Sequence, residues 1–121
     1  KAPYSASKAG LVNLTKSVAF ALTKDNIKVN GLNLGWTHTP GEEKTMEKYV
    51  TKDKNWPTTH GKDLPWGRLI QPIEAAKAIA FMTSSESGLM TGSIIDFDQI
   101  ISGWYADYSG PKKLKDNELG I

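Results

Sequence analysis

The chain has no cysteine among its 121 residues. That removes disulfides, thiolate metal ligands and a cysteine nucleophile, and it fits a reducing, cytoplasmic setting. Histidine is nearly as scarce, with only His38 and His60. Two imidazoles so far apart, with no carboxylates at ligand spacing, make a poor metal site. No apolar run approaches the roughly 20 residues of a membrane span. Charge of one sign is missing too: 15 basic and 13 acidic residues leave a scattered net +2. The densest basic stretch is Lys112, Lys113 and Lys115, answered at once by Asp116 and Glu118. A nucleic-acid footprint would be a strong basic stripe or a recognised module, so neither nucleic acid nor membrane is expected as a partner. No G-x-G-x-x-G and no P-loop occurs, so no phosphate cradle of those types is encoded. The sequence opens on Lys1 in mid-pattern, as a fragment would.

What is present suits a globular domain. The 39% apolar content rises to about half with the 11 glycines counted, an ordinary share. Residues 5–24 read as a helix, with Pro3 suited to its entry and Asn26 to a left-handed stop. Its apolar residues cover more than one face, the mark of a helix buried between layers or between subunits. The stretch 27–34 (IKVNGLNL) reads as a strand interrupted by Gly31. A long polar segment with tryptophans follows, about 36–67, with a short helix predicted near 42–52. Segments this long are functional or mobile in compact domains. A second helix is predicted over 73–84, with Pro72 at its first position and Glu74 in its first turn, and a strand over 93–98. Strand, crossover helix, strand is a βαβ unit with parallel pairing. Parallel sheets need helices on both faces, so two strands are an incomplete sheet. The turn-rich tail, 102–121, carries Trp104, Tyr105 and Tyr108, which suggest that its first part packs on something.

The richest pattern is at the start. In KAPYSASK, Tyr4 precedes Lys8 by one helical turn, so phenol and ammonium share a face. A positive charge beside a phenol favours the phenolate, which ordinarily forms near pH 10. Such a tyrosine can give and take protons near neutral pH. The plainer reading is an exposed helix pair, and the surrounding motifs weigh against it.

Four blocks in order carry a family resemblance: YSASKAG, IKVNGLNLGWTHTP, WGRLIQPIEAAKAIAFMTS and GLMTGSIIDFD. Over residues 1–99 the chain resembles the C-terminal half of the short-chain dehydrogenase/reductase family. The resemblance implies an α/β fold, the C-terminal portion of a Rossmann-like, doubly wound parallel sheet in three αβα layers. It implies one domain across 1–121, with a substrate lid at about 36–67. Departures are Leu34, where the family usually has proline, the pair Phe97 and Asp98, where two glycines are common, and Ile73 in place of glutamate. The family's phosphate loop, catalytic asparagine and catalytic serine belong upstream of Tyr4.

By the same resemblance Tyr4 would be the general acid/base of an NAD- or NADP-dependent interconversion of a secondary alcohol and a carbonyl. Lys8 would lower the tyrosine pKa and hold the nicotinamide ribose hydroxyls. Gly35, Trp36, Thr37 and Thr39 would grip the nicotinamide end; the plainer reading is a strand-exit turn stopped by Pro40. Trp36, His38, Met46 and Trp56 are candidates for the lid over a small-molecule substrate. Their aromatics either stack on a sugar or ring or anchor the lid's own core. Ser5 and Ser7 read as support for the helix start rather than as nucleophiles, and Glu42 and Glu43 as solvated. Asp96 and Asp98 read as packing positions, not a paired-carboxylate site. The two-sided first helix leads one to expect a homodimer or homotetramer. Two alternatives stand: an inactive fragment lacking the dinucleotide half, and a noncatalytic relative.

Overall fold

A computed structural model describes residues 2–100, which fall into two compact units. The first takes in 2–35 and 71–98, the second 36–70 with 99 and 100. Trp104, Tyr105, Tyr108 and the rest of the tail lie outside the described residues.

The first unit opens with α1, Ala2–Leu22. Alanine and leucine favour helix throughout, and Pro3 occupies its first turn, where no N–H is missed. The helix starts earlier than predicted and ends sooner, tightening into a 3₁₀ turn at Thr23–Asp25. Asn26 then adopts φ 58° and ψ 28°, and its N–H closes back on the Thr23 carbonyl at 3.1 Å. This is the left-handed stop expected of an asparagine there.

Two parallel strands follow: β1, Gly31–Leu34, and β2, Ile94–Phe97, paired from Gly31↔Ile94 to Leu34↔Phe97. The expectation of a strand from residue 27 is corrected here, because residues 28–30 take other partners. The Val29 N–H donates to the Thr91 hydroxyl, and the Asn30 side chain bonds both to the Met90 carbonyl and to the Ser93 N–H. Lys28 donates its ammonium to the Ser84 and Gly88 carbonyls and to the Ser87 hydroxyl, at 2.6 Å for the last. Side-chain hydrogen bonds to local backbone compete with ladder pairing, and here they hold the strand's approach in loop form.

Between the strands, α4 runs from Pro72 to Thr83. Pro72 starts it, and the Glu74 carboxylate accepts the Gln71 N–H at 2.8 Å, one arm of a capping box. Ala75 and Met82 are buried, while Ile73, Ile79 and Phe81 are exposed.

The second unit is built on a parallel bridge, Thr37↔Ile70, with His38 N–H to Ile70 carbonyl at 2.9 Å and Ile70 N–H to Trp36 carbonyl at 3.1 Å. Its helices are α2, Pro40–Tyr49, and α3, Trp56–Gly61. The first is the short helix expected at 42–52, begun and ended earlier because Thr39 and Pro40 supply cap and first residue. The second was not anticipated. Met46, Trp56, Leu64 and Leu69 form a buried cluster with Trp36 packed against it.

Candidate active site

Tyr4 and Lys8 stand together on α1, with the Lys8 ammonium 5.4 Å from the Tyr4 ring centroid. That is within cation–π range. Tyr4 is 66% exposed, so its phenol is accessible. The Ser7 hydroxyl donates to the Tyr4 carbonyl at 2.7 Å, which fits a part in the helix start.

The position of Tyr4 along the sheet follows from two contacts. A side chain at Gly31 would meet Thr15, and one at Gly92 would meet Ala19. Gly31 opens β1 opposite Ile94, so Gly92 lies just ahead of the sheet. Going backward along α1 is therefore going forward along the strands. From Thr15 back to Tyr4 is about 16 Å at 1.5 Å per residue. From Gly31 to Gly35 is about 13 Å at 3.3 Å per residue. Tyr4 thus reaches about the level of the strands' carboxyl ends, where open α/β sheets take their ligands.

At those ends Gly35 and Asp98 leave the sheet side by side. The Gly35 N–H donates to the Phe97 carbonyl at 3.0 Å. The Asp98 side chain lies so close over Gly35 that any Cβ there would overlap the carboxylate. A Cβ at 35 would force the Asp98 side chain to shift. Asp96 has a different place: its carboxylate accepts the Asn33 side-chain amide at 2.7 Å across the strands.

The other expected site residues belong to the second unit. Trp36 lies over Trp56 with centroids 6.0 Å apart and planes 24° from parallel, and His60 tilts against it at 6.2 Å. The Trp36 indole N–H donates to Glu42 at 2.8 Å. His38 is 2.9 Å from Glu43 through Nε2 and meets Trp56 edge-on at 5.6 Å. Glu42 and Glu43, expected to be merely solvated, thus each hold an aromatic or imidazole neighbour. The Thr39 hydroxyl oxygen accepts the Glu42 N–H at 3.1 Å and so caps α2, and Thr37 sits in the bridge to Ile70. Met46 and Trp56 are each 4% exposed; both are interior to the unit's own cluster. The sequence signal that could have found the glutamate contacts is Thr39-Pro40 followed by two acids, a capped helix start that brings residues 42 and 43 back toward 36 and 38.

Among the described residues no three potential metal ligands gather, and no helix is long and apolar enough to cross a membrane.

The family model described as enoyl-(acyl carrier protein) reductase matches residues 1–99. The 3-oxoacyl-(acyl-carrier-protein) reductase FabG of Thermotoga maritima is 39% identical over 95 residues, 78% of this chain and 36% of its own length. A short chain dehydrogenase family protein from Francisella tularensis superimposes with a TM-score of 0.70 at 32% identity, over 79% of this chain and 41% of that one. L-sorbose reductase from Gluconobacter frateurii, solved with NADPH and L-sorbose, gives 0.70 at 29% identity, over 79% of this chain and 38% of its own. The chain therefore spans between a third and a half of the length of the proteins it matches.

Proposed function

The chain belongs to the short-chain dehydrogenase/reductase family, with the parallel α/β architecture of its Rossmann-like members, and on that premise we propose that it forms the catalytic portion of a nicotinamide-dependent oxidoreductase. The reaction would interconvert a secondary alcohol and a carbonyl in a small molecule. The observation that carries this reading is the exposed Tyr4–Lys8 pair, at about the level of the strands' carboxyl ends. A nicotinamide bound there supplies or accepts the hydride, so the hard chemistry is the cofactor's. The chain's own residues handle the proton and the orientation. In reduction Tyr4 Oη gives its proton to the carbonyl oxygen; in oxidation it takes the proton from the alcohol. Lys8 bonds the ribose hydroxyls.

The donor set fits such a guest. A phenol and an ammonium on one exposed helix face offer one group for proton transfer and one for vicinal hydroxyls. Gly35, Trp36, Thr37 and Thr39, on the segment leaving β1, would hold the nicotinamide end. His38 and Trp36 would face substrate, and Met46 and Trp56 would shape the lid from inside it. A homo-oligomer in a cytoplasmic setting is part of the same proposal, supported by the apolar residues α1 leaves exposed.

The test is Tyr4→Phe in a full-length enzyme carrying these residues. Turnover should fall by about 10²–10⁴-fold, the usual weight of a positioned acid/base, with dinucleotide affinity nearly intact. Full retained activity would sink the assignment.

A second reading, that the 121 residues alone turn nothing over, is favoured by the missing glycine-rich phosphate loop. Titration of these residues alone with NAD and NADP forms checks it: tight binding would refute it.

A further inference from the structure

We propose that Glu42 is a positioning residue: it takes up the only hydrogen-bond donor of Trp36 and fixes its ring, so that the surface left to a guest is flat, apolar and suited to a cyclic alcohol or ketone. This rests on the oxidoreductase reading above, which turns Trp36 toward substrate.

The second unit holds the whole arrangement. Thr37 bridges to Ile70, and the backbone bonds on either side of it run from the His38 N–H to the Ile70 carbonyl and from the Ile70 N–H to the Trp36 carbonyl. Residues 36–38 are therefore extended, and alternate side chains of an extended segment share one side. That places Trp36 and His38 together, and α2 answers them in the same order. The Trp36 indole N–H donates to Glu42 at 2.8 Å, and His38 Nε2 lies 2.9 Å from Glu43. Both acids stand in the first turn of α2, where the helix end favours carboxylates. The main chain of Glu42 is held as well, because its N–H donates to the Thr39 hydroxyl.

The two contacts are unequal. The His38 and Glu43 side chains are 30% and 55% exposed, and pairs so open to water contribute little. Glu42 and Trp36 are both half-buried. A carboxylate that accepts an N–H there makes the stronger, charge-assisted kind of bond.

The chemistry follows from what this bond uses up. Tryptophan has one polar group, the indole N–H, and it only donates. In Trp36 it is spent on Glu42. Trp56 stacks against the ring at 6.0 Å and His60 tilts against it at 6.2 Å. Trp56 is interior, whereas Trp36 keeps accessible surface. That surface offers a guest no hydrogen bond from its nitrogen. It offers the broad apolar contact of one ring with another. A ring already fixed also costs a guest little ordering. A cyclic ketone gains more from such a wall than an open-chain ketone of equal carbon count.

The experiment uses a full-length enzyme carrying these residues, with NADH or NADPH as reductant. Cyclohexanone and methyl butyl ketone are the probes, and NMR follows the indole N–H signals. Trp36→Phe assigns the Trp36 signal by its loss. Glu42→Ala should shift that signal and speed its exchange with solvent. Glu42→Gln, whose amide oxygen accepts the same bond, should keep it near its place. KM for cyclohexanone should rise about two- to tenfold in Glu42→Ala, the usual net worth of one such bond, with kcat nearly unchanged. Glu42→Gln should recover it. Should Glu42→Ala fail to fold, Trp36→Phe removes the donor from the other side and should raise the same KM. An unmoved signal or an unchanged KM overturns the inference. An unaltered enzyme that binds the dinucleotide but does not prefer cyclohexanone to methyl butyl ketone also overturns it, with the oxidoreductase reading left standing. An unaltered enzyme that binds no dinucleotide overturns that reading, and the inference with it.

Discussion

The two units bury their apolar residues in different ways. The second, 36–70, has a core of its own: Met46, Trp56, Leu64 and Leu69 are nearly inaccessible, with Leu69 at 2%. The first, which carries Tyr4 and Lys8, buries little of α1. Ala19 is inside, but Leu11, Leu14 and Phe20 are more than half exposed, Phe20 at 86%. Large apolar side chains in the open are informative when several share one element. The first unit thus leaves much of the apolar surface of α1 open, whereas the second has a buried cluster of its own.

This contrast can be broken from the second unit's side. Trp56→Ala should cost about 3–5 kcal/mol, as for a fully buried tryptophan. Hydrogen exchange should show residues 36–70 opening while α1 and the β1–β2 pair keep their protection. Equal loss in both units would mean that they form one cooperative block.

The first unit's strand exit offers a sharper probe. Gly35→Ala would set a Cβ into the Asp98 side chain, and overpacking of this kind costs about 1–3 kcal/mol. Thermal unfolding should show the loss, and adding Asp98→Gly should restore most of it. A penalty that survives the second change would place the reason for glycine elsewhere.

Thr39→Ala removes the oxygen that accepts the Glu42 N–H. Loss of such a cap costs about 1 kcal/mol, and the effect should be confined to the second unit. Thr39→Ser should recover it. A Thr39→Ala protein as stable as its parent would show that Pro40 and the acidic first turn suffice.

The smallest effect is one of pH. Asp53 accepts the Asn55 N–H and the Thr59 hydroxyl, each at 2.8 Å. These bonds, the backbone one first, hold its carboxyl below its ordinary 3.8. A depressed folded-state value means stability present above 3.8 and lost as pH falls through the lower folded value. Acid unfolding of the parent and of Asp53→Asn should therefore converge below about pH 4 and differ slightly above it. Divergence on acidification would reverse the sign.

Much of this was legible in the residues. Pro72 with Glu74, and Asn26 as a stop, act through backbone rules that hold wherever the residues stand. Parallel pairing followed from strand, helix and strand in succession. The start of β1 was not legible, because Lys28, Val29 and Asn30 are good strand text. Their partners, residues 84 to 93, come from more than fifty positions away. The helix at Trp56–Gly61 was hidden because WPTTHG has little helix propensity; a buried tryptophan and the turn at Asp53 hold it.

The sequence by itself determined family, local stops and starts, and the sharing of one helix face by Tyr4 and Lys8, since a helix fixes the geometry of residues four apart. The tertiary structure placed Trp56 and Met46 inside the second unit's own cluster, because a large apolar residue has the same local pattern in the open or in a core and only packing separates them. It also decided that Gly35 answers to Asp98. That contact spans sixty-three positions of chain, and only the parallel register brings the two strand exits together.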